Sequence, residues 1–349
     1  MKTIIFGPFI GEFGWELSYW HGWVRKFSKT HYTGYKVVVC SYERSYPLYA
    51  DFVDKFEPIS ENLARKNYIC AGYFPNPKNL NYDEKKEFQY LYKQEINKLK
   101  EKYNGDVEII THYPQRKRKH LSHLFFLFKK YIPLFKESEL DKQNPFPGLI
   151  VKNYLNYLFF NEKDSWDTQT PPGIYQKHIK LSPSHESNNK IKLLINNDIK
   201  SKFVTIFARN LLKRKDKNWR EDYWKTFIKL LVEDLNLKVF LCGLSNASFL
   251  ENFNYKNVYN TIDNDKKEIL DLQLACLNKS DFAIHSLSGT VVLSMQCKVK
   301  TFFFGEDRYE KRFKEDNLLN SNFRFYTARG LNPNPYELYE EFKKYYFEK

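Results

Sequence analysis

The 349-residue chain has few cysteines and no long hydrophobic run. Its five cysteines, at positions 40, 70, 242, 276 and 297, are scattered and lack the close spacing of a metal site. This pattern is typical of reduced, buried thiols in a cytoplasmic protein. The longest apolar runs, such as 124–128, are far too short to cross a bilayer.

The beginning of the chain lacks the apolar core and cleavage site of a secretory signal peptide, because Met1 is soon followed by a strand-like segment. We therefore expect a cytoplasmic protein. A hydrophobic content of 42% excludes a disordered chain, and 349 residues suffice for two domains with separate cores.

The formal net charge of +14 favours anionic partners: nucleotides, phospholipid, lipid-linked phosphate or nucleic acid. Lys, Asn, Tyr, Phe and Ile are all abundant, as an AT-rich coding sequence would produce, so local clusters carry more information than the total. The chain contains no nucleic-acid-binding motif, which argues against nucleic acid as the partner.

Apolar strand-like segments alternate with helical periodicity, which predicts an α/β fold with parallel sheets. Strands are predicted at 3–6, 37–40, 109–110, 203–207, 239–242, 282–284 and 301–304, and helices at 83–103, 220–235, 269–277 and 335–346. The polar, aperiodic segment 181–190 predicts a boundary between domains 1–182 and 183–349. We expect two Rossmann-like domains facing a central cleft; the last helix packs either on its own domain or back on the first.

A polar loop follows the strand at 282–284 and opens a helix. Ser288, Gly289 and Thr290 offer hydroxyls, free backbone N–H groups and the positive end of the helix dipole, all of which can hold a phosphate. Ligands bind open parallel sheets at this end of the strands. The alternative is that Ser288 or Thr290 only caps the helix. His285 and Ser286 precede the loop, and His285 either touches a ligand or is buried and hydrogen-bonded.

Arg209 follows the first strand of the predicted second domain, where a guanidinium suits a diphosphate. Four more basic residues follow in one short loop, at 213, 214, 215 and 217. A charge run of this kind is usually a solvated surface, and we assign that role to 213–215. Gly243 follows the next strand and is expected to border the nucleotide base.

The pattern resembles a GT-B glycosyltransferase, and within that fold the lipopolysaccharide heptosyltransferase-like group. The resemblance rests on the first strand with its Gly11-Glu12 loop, on Phe207-Ala-Arg209 with Lys217-Asn-Trp219 and Tyr223-Trp224, and on 270–305. It implies inverting, metal-independent transfer from a nucleotide-sugar donor to a glycan or lipid-linked acceptor. That group has an Asp-Ser/Thr-Gly turn followed by His, whereas this loop runs His285-Ser-Leu-Ser-Gly-Thr290, which indicates a sugar other than heptose.

The resemblance implies that Glu12 is the general base and that Lys217 contacts phosphate. The alternative for Glu12 is a carboxylate that accepts N–H bonds near a helix start. Glu16 is the second candidate, but it falls inside a predicted helix and favours structural hydrogen bonds. Gly11 and Gly14 would permit close approach of the backbone to a ligand, although an ordinary loop explains them almost as well.

Two further segments invite a functional interpretation. Asp263-Asn-Asp265 spells the Asp-X-Asp of metal-dependent transferases, but Asp265 precedes a predicted helix, so we interpret it as a loop and cap and expect no metal or other cofactor. The basic-aromatic segment 116–130 fits either an anionic membrane surface or a surface helix packed on the first domain.

The sequence thus predicts a cytoplasmic glycosyltransferase, which would be peripheral at the inner membrane face if 116–130 lies on an anionic membrane surface. A nucleotide-sugar epimerase of the same fold is an alternative, although the further acids and histidine it would need are not placed. A non-catalytic protein that binds nucleic acid or another polyanion is the third, and its binding should weaken steeply with salt.

Overall fold

The structure is a computed structural model that describes residues 1–65, 80–111, 176–211, 215–262, 267–328 and 332–348. It divides into two compact units. The first comprises Met1–Glu12, Tyr19–Tyr42 and Phe52–Lys177, and the second comprises Phe13–Ser18, Glu43–Asp51 and His178–Lys349. Each unit contains a parallel β-sheet and helices, so the predicted α/β class is confirmed.

The first unit contains a four-stranded parallel sheet in the order β3-β2-β1-β4. Its elements are β1 (Thr3–Phe6), α1 (His21–His31), β2 (Lys36–Ser41), β3 (Lys55–Pro58), α2 (Tyr82–Lys102) and β4 (Val107–Ile110). All four residues of β1 are buried, as expected for a central strand covered on both faces. Helix α2 begins with a capping box, in which Asn81 and Glu84 bond each other's backbone N–H groups at 2.9 and 2.8 Å.

The second unit contains a six-stranded parallel sheet in the order β10-β9-β8-β5-β6-β7. Its strands are β5 (Phe203–Phe207), β6 (Lys238–Leu241), β7 (Val258–Asn260), β8 (Phe282–Ser286), β9 (Lys300–Gly305) and β10 (Phe323–Thr327). Its helices are α3 (His185–Leu194), α4 (Glu221–Glu233), α5 (Ile269–Lys279), α6 (Thr290–Gln296), α7 (Glu310–Asp316) and α8 (Pro335–Phe347). The chain winds outward from β5 in one direction and from β8 in the other, which is the doubly wound Rossmann order.

Helices α4 and α8 form the apolar layer on one face of this sheet. The predicted stripe of α4 is fully buried at Trp224, Phe227 and Ile228, and each such side chain contributes about 1.5–3 kcal/mol by leaving water. Phe342 of α8 lies with its ring centroid 5.5 Å from that of Phe282. The last helix therefore packs on the core of the second unit.

The polar, aperiodic segment 181–190, where the domain boundary was predicted, contains the start of helix α3 at His185. Its start is fixed by tertiary hydrogen bonds that leave no periodic signal in the sequence. Asp271 of α5 accepts hydrogen bonds from the backbone N of Ser184 at 2.9 Å and from Ser187 Oγ at 2.6 Å. The main segment of the second unit begins at His178 rather than 183.

Some predicted features lie outside the described residues: the segment 116–130, the pair Asp263 and Asp265, and the basic residues at 213 and 214. Helix α5, predicted to follow Asp265, begins at Ile269 after Glu268. Within the described ranges, no helix is both long and apolar enough to cross a membrane.

Candidate functional site

The site predicted in the second domain lies where the sheet of the second unit changes winding direction, between β5 and β8. Phe207 of β5 is in register with His285 of β8, and their rings stack with centroids 4.7 Å apart and planes 8° from parallel. Arg209 follows β5, and the loop 287–289 follows β8. Carboxyl ends of parallel strands share one sheet edge, so the structure brings these residues to the same edge, at the position where such sheets bind ligands.

His285 is a structural residue of this edge. Its side chain is fully buried, with Nδ1 lying 3.0 Å from Thr290 Oγ1 and Nε2 lying 2.8 Å from Ser294 Oγ. Burial lowers the pKa of His285 to about 3, so the ring is neutral at physiological pH. Of the two predicted roles, the buried and hydrogen-bonded one is confirmed.

The loop between β8 and α6 carries two hydroxyls that bond each other, Ser288 Oγ and Thr290 Oγ1 at 2.6 Å. Neither caps the helix, because Gly289 occupies the N-cap position and, among the described residues, no side-chain cap hydrogen bond is formed there. The capping role predicted for Ser288 or Thr290 is therefore wrong. Ser286 is only 2% exposed, and within the part of the chain that the structure describes its Oγ has no hydrogen-bond partner.

Gly289 is pressed against the backbone of Gly14, which belongs to the same unit. A Cβ added at Gly289 would lie 2.7 Å from the Cα of Gly14 and 3.1 Å from its N. A Cβ added at Gly14 would lie 3.3 Å from the Cα of Gly289. Both glycines therefore serve the docking of the N-terminal segment Phe13–Ser18 on the loop, a use that the sequence did not predict.

Two hydrogen bonds fix the far end of that segment. Gln296, at the end of α6, donates from Nε2 to the carbonyl oxygen of Leu17 at 2.8 Å. Ser18 Oγ donates to Oδ2 of Asp316 at 3.3 Å. Burial raises the pKa of the Asp316 carboxyl to about 6, against the smaller opposing effect of Arg312. Sequence reasoning missed these residues, because only the fold brings them to the segment.

Arg209 is held by Asn218, the middle residue of the Lys217-Asn-Trp219 motif. Its guanidinium donates to Asn218 Oδ1, which also accepts from the backbone N of Leu211 at 3.1 Å. The amide group of Asn218 in turn donates to the Leu211 carbonyl oxygen at 3.0 Å. These bonds fix residues 209–211 after β5 and orient the half-buried guanidinium.

The other two residues of the motif have different roles. Trp219 is fully buried; it donates from Nε1 to the carbonyl oxygen of Pro333 at 2.9 Å and packs against Phe304 of β9. Lys217 places its Nζ 4.4 Å from the ring centroid of Tyr309, just beyond β9. Through Asn218 and Tyr309, Arg209 and Lys217 are held beside the carboxyl ends of β5 and β9.

The acidic candidates differ in environment. Glu16 is fully buried and accepts hydrogen bonds from Ser45 Oγ at 2.7 Å and Tyr49 OH at 2.8 Å, so its expected structural bonding is confirmed. Glu12 is half-buried and immediately precedes Phe13. Gly11 is buried. The catalytic role of Glu12 stays a prediction.

Gly243 follows β6 with φ of +157°, and a Cβ there would lie 2.9 Å from Cβ of Ser248. Ser248 Oγ donates to the carbonyl oxygen of Ala208 at 3.1 Å, which links this loop to the end of β5. Gly243 is thus a packing residue of the same sheet edge. Within the described ranges, no three His, Cys, Asp or Glu side chains are grouped as a metal site.

No protein-family model and no curated protein matches the sequence. Among solved structures, E. coli ADP-heptose lipopolysaccharide heptosyltransferase II is similar, with a TM-score of 0.54, 13% identity, and 99% of this chain and 98% of that one covered. A family 9 glycosyl transferase from Veillonella parvula is similar with a TM-score of 0.54 and 11% identity, and the match covers 98% of this chain and 89% of that one. The E. coli heptosyltransferase WaaC with ADP is similar with a TM-score of 0.50 and 13% identity, and the match covers 99% of each chain.

These similarities extend over nearly the whole of each chain, which matches the two parallel α/β units described above. At identities of 11–13% they show shared architecture rather than shared substrates. The predicted resemblance is therefore confirmed at the level of the fold: this chain has the GT-B fold that these solved glycosyltransferases share.

Proposed function

We propose that this chain is a glycosyltransferase that transfers a sugar from a nucleotide-sugar donor to a hydroxyl group of a glycan or glycolipid, with inversion and without a metal. The observation that carries the proposal is the placement of Arg209 and the loop 287–289 after β5 and β8, the two strands that flank the switch point of a doubly wound sheet.

Arg209 and Lys217 would hold the donor diphosphate. Sugar transfer breaks the bond between the anomeric carbon and the diphosphate oxygen, which leaves negative charge on the leaving group. Fixed cations and N–H dipoles lower the barrier by stabilising that charge. Arg209 suits this task because its guanidinium is oriented by Asn218 before any ligand arrives. The hydroxyls of Ser286, Ser288 and Thr290 would supply further hydrogen bonds.

Glu12 would act as the general base. As the acceptor oxygen attacks the anomeric carbon, a base must take the proton from the acceptor hydroxyl, and a carboxylate can do this. Glu16 is not suited to the role, because both of its carboxylate oxygens accept hydrogen bonds from buried side chains. The resemblance and the position of Glu12 support the assignment.

Two of the similar solved structures are described with ADP or ADP-heptose. Adenosine diphosphate, followed by the other nucleoside diphosphates, is therefore the first probe. We expect one nucleoside diphosphate to raise the melting temperature of the wild type selectively. Arg209→Ala should abolish that shift, since the charged contact to phosphate is lost. Arg220→Ala is the matched control, because Arg220 is exposed and forms a surface ion pair with Asp222.

The role of Glu12 needs a different measurement. With the donor sugar identified, Glu12→Gln should lower kcat about 100-fold or more while donor binding stays at the wild-type level. Glu251→Gln, an exposed carboxylate of the second unit, should change neither quantity. If no nucleotide shifts the melting temperature, and polyanions bind with a steep dependence on salt, the transferase proposal is wrong.

A further inference from the structure

The second unit has a cavity at the sheet edge opposite the candidate site. Its volume is about 560 Å³, and its lining includes Lys202, Asp281 and Lys300, which stand at the amino ends of β5, β8 and β9. These strands have five or six residues. At about 3.3 Å per residue, the cavity is roughly 16–20 Å from the strand ends that carry Arg209.

The cavity has an excess of positive charge. Four lysines line it, at positions 180, 202, 298 and 300, and none forms an ion pair with a described carboxylate. Its two acidic residues are engaged elsewhere: Glu348 bonds Arg324, and Asp281 accepts the backbone N–H of Phe203 at 3.1 Å. With four lysines against two carboxylates, the lining keeps a net positive charge, and such a concave surface attracts anions.

Aromatic rings hold two of these lysines in place. Lys202 Nζ lies 4.9 Å from the ring centroid of Tyr346, and Lys300 Nζ lies 5.5 Å from that of Phe282. Phe347 also lines the cavity and is 64% exposed. The cavity therefore combines oriented ammonium groups with an apolar wall, which suits an anion that carries an organic part.

Lys298 provides independent support. Six described non-glycine residues have positive φ: Asn196, Asn197, Asn236, Asn257, Asn320 and Lys298. Asparagine tolerates this conformation, whereas lysine does not favour it. Lys298 has φ of +59° and follows the end of α6, a position that glycine or asparagine usually occupies. Backbone conformation therefore does not favour lysine at position 298, whereas a role for its side chain in the cavity would account for it.

We propose that this cavity binds a phosphate-bearing anion, supplied either by a soluble phosphorylated molecule or by the headgroup of an anionic lipid. The lysines neutralise the phosphate, and Tyr346 and Phe347 contact the organic part. This site is separate from the donor site and does not depend on the proposed transferase activity.

Lys298→Gly tests the proposal, because it separates binding from folding. Glycine relieves the positive φ, so the melting temperature should stay the same or rise. The affinity for inorganic pyrophosphate, measured by calorimetry in an Arg209→Ala background, should fall about fivefold for each lysine removed. Lys202→Gln and Lys300→Gln should add to that loss. Lys256→Ala, an exposed lysine outside the cavity, should leave the affinity unchanged.

Flotation with vesicles distinguishes the two sources of phosphate. Binding to vesicles of phosphatidylglycerol and phosphatidylcholine in equal parts, lost in Lys298→Gly and absent with phosphatidylcholine alone, would assign the cavity to a lipid headgroup. Pyrophosphate binding without vesicle binding would assign it to a soluble ligand. If neither probe binds, or if the cavity variants bind like Lys256→Ala, the proposal is overturned.

Discussion

Replacing Gly289 with alanine tests how tightly the N-terminal segment Phe13–Ser18 is docked on the loop after β8. The new Cβ would lie 2.7 Å from the Cα of Gly14, whereas two carbon atoms in normal contact are about 3.5–4.0 Å apart. The two backbones must therefore separate by roughly 1 Å. The segment cannot retreat freely, because Gln296 and Asp316 hold its far end.

Overpacking of this kind costs about 1–3 kcal/mol of unfolding free energy. A smaller stabilising effect opposes this cost. Because Gly289 has φ of −63°, alanine fits the backbone and lowers the conformational entropy of the unfolded chain, which adds about 0.4–1 kcal/mol to the unfolding free energy. We expect a net loss of about 1–2 kcal/mol, visible as a lower urea midpoint and a lower melting temperature.

Gly14→Ala is the matched control. Its Cβ would lie 3.3 Å from the Cα of Gly289, so a shift of a few tenths of an ångström accommodates it, and alanine also favours the helical turn Phe13–Trp15. This variant should be as stable as the wild type or slightly more stable. If Gly289→Ala and Gly14→Ala unfold at the same urea concentration, the docking described here is wrong.

Three further predictions concern polar groups that are buried or half-buried. His285 stays neutral in the folded protein, whereas in the unfolded chain it becomes protonated below its ordinary pKa of 6.5. This difference should lower the unfolding free energy by about 3 kcal/mol as the pH falls from 8 to 4.5. Urea unfolding of His285→Gln should not show this decrease. Asp316 has the opposite sign, because its folded pKa of about 6 exceeds the ordinary 3.8: its stabilising contribution is complete below pH 3.8 and declines by about 3 kcal/mol as the pH rises to 6. Asp316→Asn should therefore gain stability over the wild type at pH 8 and not at pH 4, and equal differences at both pH values would contradict the assignment. Asn218→Ala removes one hydrogen-bond partner of the Arg209 guanidinium, so calorimetry should show nucleoside diphosphate affinity about fivefold lower; unchanged affinity would argue against a positioning role for Asn218.

Much of the fold could be predicted from the sequence where one segment carries its own signal. The strands Thr3–Phe6 and Phe203–Phe207 and the helix around Trp224 and Phe227 were predicted within two residues of their ends. The short strands β3 and β7 and helix α3 were missed, because β3 and β7 are only partly buried and α3 buries only Ser187 and Ile191. Their hydrophobic periodicity is correspondingly weak.

Some residues of the candidate site could likewise be predicted from the sequence, and others could not. Arg209 and the loop at Ser288 could be located because polar residues directly follow apolar strands, and parallel sheets bind ligands at that edge. The support of Arg209 by Asn218 lay inside a quoted motif but had no distinguishing signal of its own. The fixed positions of Gly289 and Gly14 could not be predicted, since they depend on contact between segments 275 residues apart.

The sequence by itself determined the alternation of strands and helices, the fold class and the residues that end the central strands, because hydrophobic pattern and turn chemistry act over a few neighbouring residues. Only the tertiary structure decided the strand order, the use of Phe13–Ser18 as a part of the second unit, and the gathering of four lysines at one sheet edge. Those features depend on burial and charge contributed by distant segments, and no local pattern records them.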